Sequence, residues 1–247
     1  MDGSKGLETG RPGTGPEKPM RKKLVIFGTG EMAEMAHYYF THDSPYEVIA
    51  FAADDAYVEQ PSFKGLPLVP VSQMPGRYPP GEVEAHVALS YKKMNRTRDE
   101  KYHHVKRMGY SLASFVCTKS AFWPDLQVGD NCFILENQTI QPTVKIGSDV
   151  IIWSGNHLGH RGIIGDHTYI SSHVCIAGFV TIGTHCFLGI NATIRDFVNI
   201  GNRVFVGLGA SVVSDVPDDA VVLGSRGQIY PAESETARAV RKKYMDL

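Results

Sequence analysis

The chain has 247 residues, 43% hydrophobic and 21% charged, with a formal net charge of −1. That balance is ordinary for a soluble globular protein. It offers no basic field to hold nucleic acid and no run of ~20 apolar residues to cross a bilayer, while the length allows two modest domains.

Residues 1–20, MDGSKGLETGRPGTGPEKPM, are rich in Gly, Pro and charge and lack the apolar core of a signal peptide. They read as a disordered tail, and the cytoplasm is the expected compartment. A first domain is expected over 21–112. LVIF within KKLVIFGTG is a short apolar run suited to a strand buried on both faces. GTGEMA follows, and Met32, Met35, Ala36, Tyr39 and Phe40 then recur at helical spacing. YEVIAFAADD reads as a second strand ending in Asp54 and Asp55, AHVALSY as a third, and Asn95–Met108 as a charged helix.

Strand, glycine turn, helix and acid-tipped strand open a Rossmann-like, nucleotide-binding fold. Gly28 and Gly30 would let a phosphate approach the backbone at a helix N-terminus. An acid ending the second strand would accept hydrogen bonds from ribose or base. The unit is too short for a six-stranded dinucleotide fold, so a smaller sheet that holds a nucleotide without redox chemistry is expected. The basic run Lys92, Lys93, Arg96, Arg98, Lys101, Lys106 and Arg107 reads as a solvated helix face, with one or two members able to meet phosphate.

A different regularity governs 113–224. From Val128, every sixth residue through Val212 is Val, Ile or Leu, and glycine often follows, as at 129, 147, 159, 165, 183, 189, 201 and 207. A period of six is neither helical nor a simple alternation. It implies one short strand and one turn per repeat, stacked so that the aliphatics form a continuous column. Glycine beside each corner is expected to supply backbone angles that a β-carbon opposes. Cys117, Cys132, Cys175 and Cys186 form no CxxC pair and read as small buried thiols.

Within the repeat, SGNHLGHRGIIGDH holds Asn156, His157, His160, Arg161 and His167. Such a cluster suits a metal, a catalytic base with its supports, or a polar face. His157 and His160 fall in different hexads across a corner, which disfavours one shared metal. His167, His173 and His185 occupy an outward repeat position, as solvated or interface residues. The last segment, 225–247, ends in a short helix, ARAVRKKYMDL.

IGTHCF and IGNRVF fit the hexapeptide motif of left-handed β-helix acyltransferases. With GTG, the Asp54–Asp55 pair, GYSLASFVCTKSA and CFLGIN, the chain resembles the PglD/NeuD group of bacterial nucleotide-sugar acyltransferases over about residues 22–230. The resemblance implies three hexads per coil, so residues eighteen apart stack, and a homotrimer with active sites between subunits. It implies an acyl-CoA co-substrate, acetyl-CoA by preference, no metal, and N-acylation of a UDP-, dTDP- or GDP-linked amino sugar. The alternatives are O-acetylation of a sialic-acid-like sugar and a non-catalytic nucleotide-sugar-binding or scaffold protein.

Alignment on CFLGIN places His160 at the family's general base, with His157 second. Arg161 stands where the family has a supporting acid, so Asn156, His157 or a backbone carbonyl is expected to orient the ring. Tyr169 aligns with a residue that contacts the acyl donor, and Ile190 and Leu208 with backbone contacts to coenzyme A. Gly178, Gly207 and Gly209 would let the pantetheine arm lie close. Gly28, Thr29, Gly30, Asp54 and Ser90 are expected at the nucleotide sugar, with Asp55 next unless it caps a turn. Arg241–Lys243 are a further expectation for the 3′-phosphate of coenzyme A.

Overall fold

A computed structural model describes residues 21–245; the expected disordered tail, 1–20, lies outside them. Strands β1 (Lys22–Phe27), β2 (Tyr46–Ala53), β3 (Ser62–Phe63), β4 (Leu66–Pro70) and β5 (Glu84–Val87) make one sheet in the order β3-β4-β2-β1-β5. All neighbours are parallel except β3 and β4. Helix α1 (Glu31–His42) follows β1, a single turn α2 (Met74–Arg77) precedes β5, and α3 (Arg96–Arg107) follows it. Leu24, Val25 and Ile26 are fully buried because both sheet faces are covered. Met32, Ala33, Ala36 and Phe40 of α1 pack with Leu24 and Ile26 on one side, and Tyr102 and Val105 of α3 with Val25 and Phe27 on the other. This is the small, mostly parallel Rossmann-like sheet that the sequence predicts.

From Phe115 to Val222 the chain winds as a left-handed parallel β-helix with three flat faces of two-residue strands. The first face carries Gln127–Val128, Lys145–Ile146, Ile163–Ile164, Thr181–Ile182 and Asn199–Ile200. The second runs from Phe115–Val116 through Phe133–Ile134, Ile151–Ile152, Tyr169–Ile170, Phe187–Leu188 and Phe205–Val206 to Val221–Val222. The third carries Thr139–Ile140, His157–Leu158, Cys175–Ile176, Thr193–Ile194 and Ser211–Val212. Ladder partners are eighteen residues apart, as in His157↔Cys175 and Ile163↔Thr181, until the last rung, Phe205↔Val221, which is two residues shorter. The second residue of each pair points inward, and these aliphatics build the buried column. A helix, α4 (Glu235–Tyr244), ends the described chain; it is capped by Ser234, whose side chain accepts from the Ala237 N–H, and it buries no residue.

The repeat glycines correct the expectation about their role. The left-handed backbone falls two residues after them, at Asn131, Asp149, Arg161, His167, His185, Asn191 and Arg203, with φ between 55° and 60°. Asn, Asp and His tolerate that region better than most side chains. The glycines serve the stacking instead. A β-carbon on Gly165 would stand 2.6 Å from the Gly183 carbonyl, and one on Gly183 would stand 2.6 Å from the Gly201 oxygen.

The second face is turned to the first domain. Phe133, Leu135, Ile151 and Tyr169 share one buried cluster with α1 and β1. Tyr169, Phe187 and Phe205 stack along this face with centroids 5.3 and 5.0 Å apart. Arg98, read in the sequence as part of a solvated basic face, is instead fully buried against the fully buried Asp149, with Nε 3.1 Å from Oδ2. Its other nitrogens donate to the carbonyl oxygens of Ser90, Asp149 and His167. Lys101 and Lys106 pair with Asp54 and Asp130. Three of the seven basic residues are therefore paired, and two of these, Arg98 and Lys106, reach the β-helix. Cys117, Cys132 and Cys186 are buried as expected, but Cys175 is exposed, because it takes the outward position of the third face.

Candidate active site

His160 sits at the corner between the third and first faces, just after the strand pair His157–Leu158. Leu158 points into the column and anchors the corner. Gly162 and Arg161, the latter at φ 57°, complete the turn. The His160 ring is exposed but not free to wander. Gln141, on the preceding coil, accepts from the His160 backbone N–H at 2.8 Å, and the same Oε1 lies 3.0 Å from Nδ1. With Nδ1–H donating to that oxygen, the bare lone pair is on Nε2, at the opposite edge of the ring. The ring lies over Gly178 of the next coil, where a β-carbon would stand 2.6 Å from Cε1. Phe179 meets it edge-on at 5.0 Å.

This arrangement corrects the expected support. Asn156 is buried and committed to the coil interior, where its Oδ1 accepts from the Val174 N–H at 2.6 Å and its Nδ2 donates to the Trp153 carbonyl. It cannot reach out to orient an exposed imidazole. His157 stands on the outer side of the third face, in register with Thr139 and Cys175. Arg161 turns its guanidinium over the Phe179 ring at 5.3 Å. The orienting group is a neutral amide oxygen, one residue off the coil-to-coil register.

Tyr169, expected beside the acyl donor, lies on a different face from the His160 corner. It belongs to the second face, is 6% exposed, and packs against Tyr91 and Phe187. Burial pushes its phenol up to about 12. It is part of the wall between the domains. Gly178 serves first as the seat of the His160 ring. Ile190 and Leu208 lie eighteen residues apart at another corner, 52% and 75% exposed, above the tightly stacked Gly189 and Gly207. Gly209 takes φ 62° with open space around it.

The expected nucleotide residues gather at the C-terminal ends of β1, β2 and β5. The strand order reverses direction between β1 and β5, which is where open α/β sheets accept ligands. Gly28, at φ 133°, passes beneath the end of β5, and a β-carbon there would stand 2.8 Å from the Ala88 oxygen. Thr29 is half-buried, and Gly30 forms the open N-cap of α1. Ser90 is half-buried, its carbonyl held by Arg98. Asp54 ends β2 and pairs with Lys101 at 2.7 Å. Asp55 takes the capping role: its two oxygens accept from the Ser72 N–H and hydroxyl, which hold its carboxyl below the usual range. Glu31 and Glu34 occupy the first turn of α1 and offset the positive helix end that a phosphate would meet.

A small parallel sheet mounted on a left-handed hexapeptide-repeat β-helix, with an imidazole held at a coil corner, is the architecture of the hexapeptide-repeat sugar acyltransferases. No protein-family model and no curated protein sequence matches the chain. Among solved structures, its neighbours are bacterial sugar N-acetyltransferases of that type. PerB from Caulobacter crescentus, solved in complex with CoA and GDP-perosamine, is 25% identical with a TM-score of 0.73, over 85% of this chain and 97% of PerB. The acetyltransferase domain of PglB from Neisseria gonorrhoeae is 22% identical with a TM-score of 0.72, over 85% of this chain and 100% of that domain. WeeI from Acinetobacter baumannii is 19% identical with a TM-score of 0.70, over 85% of this chain and 100% of WeeI. Among the described residues no helix is long and apolar enough to cross a membrane.

Proposed function

We propose that this chain transfers an acyl group, acetyl in the first instance, from coenzyme A to the amino group of a nucleotide-linked sugar, with His160 as general base. The observation that carries the reading is the His160–Gln141 pair: with Nδ1–H donating to the Gln141 amide oxygen, Nε2 keeps its lone pair. The likeness to PerB, whose structure holds CoA and GDP-perosamine, supports the choice of co-substrates.

In this mechanism the sugar ammonium loses one proton to solvent on binding. The neutral amine nitrogen then attacks the thioester carbonyl as Nε2 of His160 takes a second proton. The tetrahedral oxyanion collapses, the carbon–sulfur bond breaks, and the imidazolium returns its proton to the departing thiolate. Gln141 holds the tautomer but, being neutral, does not raise basicity as a carboxylate would. Imidazole is the side chain whose chemistry suits it to accept a proton near neutral pH. Gly28, Thr29, Gly30, Asp54 and Ser90 receive the nucleotide, UDP-, dTDP- or GDP-linked. A homotrimer would bury the exposed Ile190, Leu208 and Phe197 of the coil corners and enclose the acyl donor between neighbouring β-helices.

The test is to incubate the protein with acetyl-CoA and a panel of nucleotide-linked 4-amino sugars, following free thiol. Thiol release with one of these sugars and none with free sialic acid is the expected result. Release with sialic acid alone would establish the O-acetylation reading, and no release with any acceptor would leave a binding or scaffold protein.

A further inference from the structure

Where α3 crosses the second-face edge of the β-helix, three potential ligands from distant parts of the chain converge. They are Asp99 on α3, and His167 and His185 on consecutive coils. The His185 Nε2 lies 3.1 Å from Asp99 Oδ2, and the His167 Nε2 lies 3.4 Å from Asp99 Oδ1. All three donor atoms fall within 4.8 Å of one another. A tetrahedral site with bonds of ~2.0–2.1 Å sets its ligand atoms about 3.3 Å apart, so these separations are those of a site that could close on an ion with little movement.

Two further observations point to a ligand rather than to a chance cluster. His167 is 7% exposed, and its Nδ1 lies 2.8 Å from Oδ2 of the fully buried Asp149. That carboxylate accepts Nδ1–H and turns the bare Nε2 toward the cluster, the carboxylate–imidazole relay that commonly stands behind a metal-bound histidine. Asp149 is itself fixed by Arg98 and by the Asn131 amide, so the relay is rigid. In addition, Asp99 Oδ1 is buried and makes no well-formed hydrogen bond among the described residues, its near neighbours being the Nε2 atoms of His103 and His167 at 3.1 and 3.4 Å. An acceptor with lone pairs aimed into a histidine cluster is costly unless something occupies it.

We propose that Asp99, His167 and His185 form a structural site for Zn2+ or a similar divalent transition metal that pins α3 of the first domain to the β-helix. Two imidazoles and one carboxylate suit zinc, cobalt or nickel better than magnesium or calcium. The fourth position goes to water or to His103, whose Nε2 lies 3.1 Å from Asp99 Oδ1. His167 and His185 lie at the corner before the second face, whereas His160 lies at the corner before the first, and the proposal does not depend on acyl transfer.

The test uses full-length protein stripped with a chelator and carrying Cys175→Ser, which removes the exposed thiol. Titration with Co2+ should bring up the visible absorption of a tetrahedral ion at one equivalent per chain, Zn2+ should displace it, and Zn2+ should raise Tm. In Asp99→Asn and in His185→Gln, each checked for folding by circular dichroism, Co2+ affinity should fall at least ~10-fold and the Tm response to Zn2+ should vanish. Absence of stoichiometric binding to the parent protein would overturn the proposal. So would equal binding by either folded variant, which would assign the metal to surface histidines and leave the cluster a hydrogen-bonded seam.

Discussion

His160 is one of ten histidines, and two contacts fix its ring: Gln141 at Nδ1 and the bare Cα of Gly178 beneath it. These make a separable prediction. His160→Ala should lower kcat by about 10²–10⁴-fold, as removal of a general base does. Gln141→Leu should lower kcat less, because the ring then samples both tautomers while the base remains. Gly178→Ala should also lower kcat, by displacing the ring, with little change in KM for acetyl-CoA; a large rise in that KM alone would instead make Gly178 a pantetheine contact. Steady-state kinetics of the three variants checks this. The choice of this histidine comes from the resemblance, through alignment on CFLGIN. Gln141 was not legible in the sequence, because it sits nineteen residues away, off the eighteen-residue register, and only a built coil brings it alongside. Asn156 looked suitable for the opposite reason: proximity in sequence hides the fact that its side chain turns inward.

The coil is the element whose sequence reading was most nearly complete. The aliphatic column from Val128 to Val212 follows from period alone, since one inward residue per short strand is the arrangement that buries them all. Glycine, by contrast, misleads when read only through backbone freedom. The left-handed corners are held by Asn, Asp, His, Arg and Phe, and the glycines stand where one coil rests on the next. Gly165→Ala should therefore destabilise the protein by about 1–3 kcal/mol, since its β-carbon overlaps the backbone of Gly183, which has no side chain to move aside. Gly227→Ala, in open space, should stay within about 0.5 kcal/mol. Denaturant unfolding of both variants checks the contrast; equal stability would mean that the coils yield at Gly165 without cost and that the close stacking is not what requires glycine there. The basic run on α3 misled in a related way. Charge density suggests solvent, and nothing in the one-dimensional pattern marks Arg98 as the member that meets Asp149.

At the scale of the molecule, the two domains share one buried seam, and a histidine lies inside it. His86 ends up between Phe40 and Phe133, 1% exposed, with Nδ1 donating to the Ala113 carbonyl at 2.9 Å. Burial drives its pKa down from 6.5 to about 4, with the Ala113 hydrogen bond opposing the shift. The unfolded chain accepts a proton at His86 below pH 6.5, and the folded chain refuses it until about pH 4. Stability from this group is therefore complete above pH 6.5 and declines as pH falls toward 4, by a sum of the order of 3 kcal/mol. His86→Gln keeps a donor for the Ala113 oxygen but has no proton to gain. Its denaturant midpoint should change less than that of the parent protein between pH 6.5 and 4.5, whatever its absolute stability. Carboxylates that titrate near the lower end act in both proteins alike, so the difference between the two curves isolates the seam. Parallel curves would mean that the seam opens to solvent and that the domains are not one folding unit. Convergence at low pH would show that burying a neutral imidazole between the sheet and the coils is what ties their stabilities together.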